Sequence, residues 1–293
     1  MMLLGVMMAL GVGFFSWTAL GILCGKVADQ RIDAMAFYAV AYSCCAVAYI
    51  PFVKWSIVTG SEPRLNELLG WIGSYGALEA IGMIIVTKSM ERGSQAVTWT
   101  LAQMAMIIPF LFGVIWGNDR PAIMAWVGVV LMLACVVSLG FGQFQTAQNS
   151  KTSRSVIWAL SGFAILGIAL TLSMIPSYWP GWKDESNLRT FLSVASPGIL
   201  LVSVCAVRRV KIRRDVALYG ISAAIAILLG YIFLYKSMDM LSSCGLTAIC
   251  YPLSVGSCII GVQMYGFIVK KEAFAKGTIL GVIGILLVAV GNT

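Results

Sequence analysis

Glu79 stands in the run SYGALEAIGMIIV (74–86), where every neighbour belongs in an apolar medium. Placing a charged carboxylate at the centre of a bilayer costs on the order of 3 kcal/mol on insertion scales. Such a group therefore needs a cavity, a partner or a proton. A proton-binding acid at that depth can couple a proton gradient to the movement of a solute, or bind a polar or cationic solute directly. The bland alternative is a protonated carboxyl that ties one helix to another. Several side chains could share a cavity with it: Tyr75, one helical turn earlier on the same face, and Trp99 and Gln103, an i, i+4 pair. To these the sequence adds Ser16 and Trp17 near the start, and Tyr231, Tyr251, Ser254 and Gln263 in the second half. An indole beside hydroxyls and amides suits a sugar, whose C–H face stacks while its hydroxyls bond; the same pocket would take an aromatic amino acid. The ordinary role of each aromatic is packing or an interfacial belt, which fits Trp55, Trp71, Trp116, Trp126, Trp179 and Trp182 near the ends of apolar runs.

The chain has 293 residues, 60% hydrophobic and 11% charged, with mean hydropathy +0.92. A soluble domain carries roughly 25% charged residues. The composition is that of an all-α polytopic membrane protein embedded in a lipid bilayer. Ten runs are long enough to span, near 2–24, 34–57, 67–87, 94–116, 122–144, 155–178, 188–207, 216–236, 243–269 and 274–292. They leave no room for a soluble catalytic domain, and the reading is not an enzyme.

Other chemistries are poorly served. There is no histidine, and the eight cysteines form no CxxC pair, so no metal site and no cofactor is expected. No GxxxxGK[ST] phosphate loop occurs, which leaves solute or ion gradients as the driving force. The net charge of +8 resides in short loops and reads as topology rather than as a nucleic-acid footprint.

Two elements repeat. GMIIVTKSM (82–90) and GYIFLYKSM (230–238) share Gly, Lys, Ser and Met at an offset of 148, and Asp119 precedes Gly128 by nine residues as Glu272 precedes Gly281. Residues 1–145 and 155–293 thus read as two five-helix units joined by a linker at 146–154. An odd number of spans puts the second unit into the membrane upside down. Of 20 Lys and Arg, 14 lie in the loops after odd-numbered runs, which places those loops in the cytoplasm and both termini outside. The position matching Glu79 in the second unit is Ile227, so the carboxylate is no part of the shared scaffold. Gly277, Gly281 and Gly284 form a small-residue face for close packing, within the chain or in a homodimer.

The ten helices, the inverted duplication and the acid-to-glycine element resemble the drug/metabolite transporter superfamily, whose EamA-like members are ten-helix carriers. The stretches GVGFFSWTALGILCGKV (11–27) and YGALEAIGMIIVTKSMERGSQAV (75–97), with the outside termini, look similar to its sugar-transporting branch, to which the L-rhamnose–proton symporter belongs. The resemblance implies a secondary transporter, and the reading is a proton- or gradient-coupled carrier of a small polar solute in the inner membrane, working by alternating access. A sugar or polyol is the favoured solute, and an exporter of amino acids, cationic metabolites or drugs is the alternative.

Overall fold

The computed structural model describes residues 1–55, 64–91, 95–144, 151–179, 186–269 and 277–291. They form helices and the turns between them, with no strand among the described residues. In chain order, α1 is Met2–Asp29, α2 Ala34–Phe52 and α3 Leu65–Met90. Helix α4 runs from Gln95–Gln103 through a 3-10 turn, Met104–Met106, into Ile107–Ile115. Then come α5 (Ile123–Phe144), α6 (Lys151–Met174, extended by Ile175–Tyr178), α7 (Ser186–Val207) and α8 (Arg214–Ser242). Helix α9 is Thr247–Val269 and α10 is Gly277–Val290. Seven of these segments are long and apolar enough to cross a bilayer, and shorter apolar helices occupy Met104–Ile115, Ile123–Cys135 and Thr278–Val290. Helix α6 reaches back to Lys151, so part of the 146–154 linker is helical.

Local chemistry sets several boundaries. The Asp33 carboxylate accepts from the N–H groups of Met35 (2.8 Å) and Ala36 (3.2 Å), capping α2, as an N-cap aspartate should. Residues in the left-handed region, Arg31, Asn118, Arg209 and Gly245, follow the ends of α1, α4, α7 and α8. There the N–H of Ile32 returns to the Val27 carbonyl, that of Val210 to Cys205 and that of Leu246 to Leu241. These bonds satisfy carbonyls that a helix end would otherwise strand.

Leu3, Phe15, Ile123, Ile225 and Leu286 are each more than half exposed. So much exposed apolar surface is what lipid contact requires, and the chain is a multi-pass membrane protein. Its interior is rich in tyrosine: Tyr38, Tyr42, Tyr75, Tyr235 and Tyr251 are fully buried.

The helices pack in a regular pattern. Helix α3 lies along α6 and α7, while α8 lies along α1 and α2; α4 packs on α6 and α9 on α1; α2 meets α7, and α5 meets α10. Glycines allow the closest approaches. A Cβ on Gly13 of α1 would sit 1.6 Å from the Ser254 carbonyl oxygen of α9, and one on Gly128 of α5 would sit 2.5 Å from the Gly284 carbonyl oxygen of α10. Gly281 faces Cys135 of α5. Gly281 and Gly284 of the small-residue face thus serve packing inside the chain.

Candidate functional site

Helices α2, α3 and α8 bring their polar side chains to one place. The Tyr231 hydroxyl of α8 donates to the Glu79 carboxylate of α3. The hydroxyls of Tyr42 and Tyr75 lie around the same carboxyl, and the Tyr75 hydroxyl is buried without a hydrogen-bond partner of its own. The Tyr75 ring meets Tyr231 edge-on at 6.2 Å. Neither ion pair seen among the described residues involves Glu79. Protein encloses the carboxyl on every side, yet the residue keeps accessible surface. With its hydroxyl neighbours drawn from α2, α3 and α8, the carboxyl points between these helices.

A second aromatic element comes from α1. Residues Val12–Trp17 form a π-helical turn, closed by the Thr18 hydroxyl, which donates to the Gly13 carbonyl (3.0 Å). One widened turn inside an α-helix is frequently a functional feature. Here it carries Ser16 and Trp17 against Gly230 of α8 and lays the Trp17 ring parallel to Tyr251 of α9 at 6.3 Å. Tyr251 in turn shares a hydrogen bond with Ser173 of α6.

The remaining sequence candidates are placed differently. Trp99 packs on Gly21 of α1, and its buried indole N–H makes no hydrogen bond. Gln103 is buried beside the 3-10 turn of α4. The Ser254 hydroxyl donates to its own helix, at the Cys250 carbonyl (2.9 Å). Gln263 lies nine residues further along α9, a rise of about 14 Å, and is partly exposed. So Glu79, Tyr75 and Tyr231 assemble directly, Trp17, Ser16 and Tyr251 assemble beside them, and Trp99, Gln103, Ser254 and Gln263 do not join that carboxyl through any hydrogen bond among the described residues.

Sequence reasoning missed three participants. Tyr42 sits in an apolar run with another tyrosine, Tyr38, one turn earlier, so it reads as aromatic packing. Arg189 and Asp239 form an ion pair of 2.7 Å, their side chains 0% and 10% exposed. Each lies at the margin of an apolar run, where a loop charge is the ordinary reading. Glu79 is therefore not the lone acid held inside the helices, because Asp239 belongs to α8. The Arg189 guanidinium also donates to the Ser177 hydroxyl (2.8 Å) and the Ser173 carbonyl (3.1 Å), and it lies 4.4 Å from the centre of the Tyr235 ring. Tyr235 stacks on Tyr231 at 6.1 Å, so two rings separate this pair from Glu79.

Asp119 sits at a hairpin turn, where capping or a pairing with Arg120 is the ordinary role. Instead the Asp119 carboxylate accepts from the Tyr178 hydroxyl (2.9 Å) and the Ala248 N–H (2.5 Å), joining the α4–α5 turn to α6 and to the start of α9. Burial in that turn pushes its carboxyl above the ordinary range, and the two donors oppose the shift. Glu272 and Trp182 lie outside the described residues.

An all-helical bundle with an enclosed carboxylate defines a multi-pass membrane protein with a polar interior. Residues 3–141 match the model of the EamA-like transporter family, which supports the likeness to the drug/metabolite transporter superfamily without singling out its sugar branch. No curated protein matches the sequence. One solved protein, a crystal structure described only as "Crystal structure of protein", superposes with a TM-score of 0.63 over 97% of this chain and 96% of its own at 14% identity. That likeness is one of fold.

Proposed function

We propose that the chain is a proton-coupled secondary carrier of a small polar solute, a sugar or polyol before others, working by alternating access between two inverted five-helix units at 1–145 and 155–293. The observation that carries this reading is the Glu79 carboxyl, set among the hydroxyls of Tyr42, Tyr75 and Tyr231 and hydrogen-bonded across the units to Tyr231. An acid outside the ion pairs seen binds a proton or a solute hydroxyl at little structural cost, because no salt bridge has to break. The match to the EamA-like model supports a carrier of small solutes.

The helix packing supports the paired units. Exchanging each helix with the one five places away turns α3 on α6 into α8 on α1, α3 on α7 into α8 on α2, and α4 on α6 into α9 on α1, all of which occur. The same exchange leaves α2–α7 and α5–α10 as they are. The repeated glycines follow it: Gly82 of α3 meets Leu166 of α6, and Gly230 of α8 meets Ser16 and Trp17 of α1. With five spans per unit, the units are oppositely inserted, and a site near the midplane between them is the recurring arrangement of such carriers. The basic turn after α7, including exposed Arg208 and Arg209, supports an orientation in an inner membrane with the cytoplasm on that side and both termini on the other.

Hydroxyls from Tyr42, Tyr75 and Tyr231 and the parallel Trp17–Tyr251 rings favour a polyhydroxylated solute. One observation favours the exporter of organic cations: tyrosine faces beside a carboxylate also make a cation site. A thermal-shift screen of purified protein against sugars, polyols, amino acids and quaternary amines separates the two, and uptake into proteoliposomes under an imposed proton gradient then tests coupling. Glu79→Gln is expected to abolish proton-driven uptake while leaving the fold intact; undiminished uptake in that variant would overturn the coupling role.

A further inference from the structure

Arg189 at the start of α7, Asp239 near the end of α8, and Ser173 and Ser177 at the end of α6 occupy one end of the bundle. The same end holds the Ser242 hydroxyl bonded to the Ser177 carbonyl (2.9 Å), the Asp119 tie to Tyr178 and Ala248, and the Arg120 N–H on the Gly245 carbonyl (3.2 Å). The ends of five helices are stitched together there by polar bonds.

Stability alone is a poor reason for a buried ion pair, since apolar residues of similar volume often do as well or better. The pair does have a property that apolar residues lack. It is tolerable in two states: dry and paired, or wet and apart, because separated charges regain hydration. An apolar plug is penalised each time water reaches it. The surrounding hydroxyls of Ser173, Ser177 and Ser193, with the Tyr235 hydroxyl that shares a 2.6 Å bond with Ser193, are groups that water can also satisfy.

We infer that Arg189 and Asp239 form the closed latch of a gate at the α6–α7 and α8–α9 end of the bundle, and that these two residues separate when the carrier opens to that side. The inference rests on the alternating-access reading above. It makes Arg189 and Asp239 positioning residues, not groups that touch the solute.

Cys250 is a native reporter behind the latch. It is fully buried, 3.4 Å from the Ser237 hydroxyl, and within electrostatic reach of both Asp239 and Arg189. Exposed Cys244, in the turn before α9, reports reagent access to the same end. The experiment follows N-ethylmaleimide modification of purified full-length protein, with the labelled cysteine located by tandem mass spectrometry. In the native chain Cys244 reacts and Cys250 is protected. In Arg189→Met with Asp239→Leu, Cys250 is expected to react at least tenfold faster, with Cys244 unchanged. Asp239→Asn keeps the shape and removes the charge, so it serves where the apolar pair does not fold; it is expected to react at least threefold faster, and Asp239→Glu to restore protection. Equal Cys250 rates in the native chain and in whichever charge-removing variant folds would overturn the latch. The labelling needs neither solute nor gradient. Proton-driven uptake surviving in Glu79→Gln would sink the coupling proposal and leave the latch standing.

Discussion

Glu79 and Asp239 are both carboxylates inside helices, and the chain treats them in opposite ways. Glu79 has hydroxyl neighbours, accessible surface and no cation in the ion pairs seen. Asp239 is pinned by a guanidinium that is itself held by Ser173, Ser177 and the Tyr235 ring. A carboxyl surrounded by hydroxyls can gain or lose a proton with its neighbours merely turning their O–H bonds. A carboxyl paired with arginine keeps its charge, and changing it means breaking the assembly. The first arrangement suits the gain and loss of a proton, and the second suits holding helix ends together until the two charges part as a unit.

The largest contrast is functional. Glu79→Gln should lower proton-driven uptake at least tenfold with little change in Tm, measured in proteoliposomes and by thermal unfolding of the same preparation. A loss of Tm comparable to that of a core variant would move Glu79 into the structural class. Arg189→Ala should do the reverse, destabilising by about 3–5 kcal/mol because Asp239 is left as an uncompensated charge. Most of that loss should return when Asp239→Leu is added, and a double variant no better than the single would show that the pair is not a unit.

Within the first site, Tyr231→Phe and Tyr75→Phe form a finer pair. Removing the Tyr231 hydroxyl deletes its hydrogen bond to the Glu79 carboxyl, worth about 0.5–3 kcal/mol across neutral and charged acceptors, and should change the pH profile of uptake. Removing the Tyr75 hydroxyl, which has no hydrogen-bond partner, should leave Tm unchanged or raise it. The smallest effect concerns Asp119. Its folded-state pKa is raised by burial, so the stability linked to its proton is present below the ordinary carboxylate range and is lost as pH rises through the raised value. Tm measured across acidic pH should therefore decline with rising pH through that window, and Asp119→Asn should flatten the decline.

Much of the helical layout can be read from residue order. Apolar runs, the Asp33 cap and the Gly82 and Gly230 elements act locally, through burial in lipid, N–H capping and close approach, so each leaves a mark within a few residues. Glu79 is legible for the same reason, since a lone acid in an apolar run is conspicuous. Tyr42 is not, because a tyrosine among alanines looks like packing until a helix 37 residues away presents a carboxyl to it. Arg189 and Asp239 were hidden by position: at the edge of a run, a charge that snorkels and a charge that turns inward have the same sequence. The contact of Trp99 with Gly21 of α1 was not legible either, because a deep indole in one run does not name the helix it packs on.

The glycine contact between α5 and α10 has a mechanical consequence. Gly128 and Gly284 bring two backbones together with no side chain between them, so neither helix can slide or roll without a collision. This pair is also one that the exchange of the two units maps onto itself. Under the proposed alternating-access reading, a rocking motion that swaps the open side would leave that contact intact, and the two helices would act as a post about which the rest of the bundle swings.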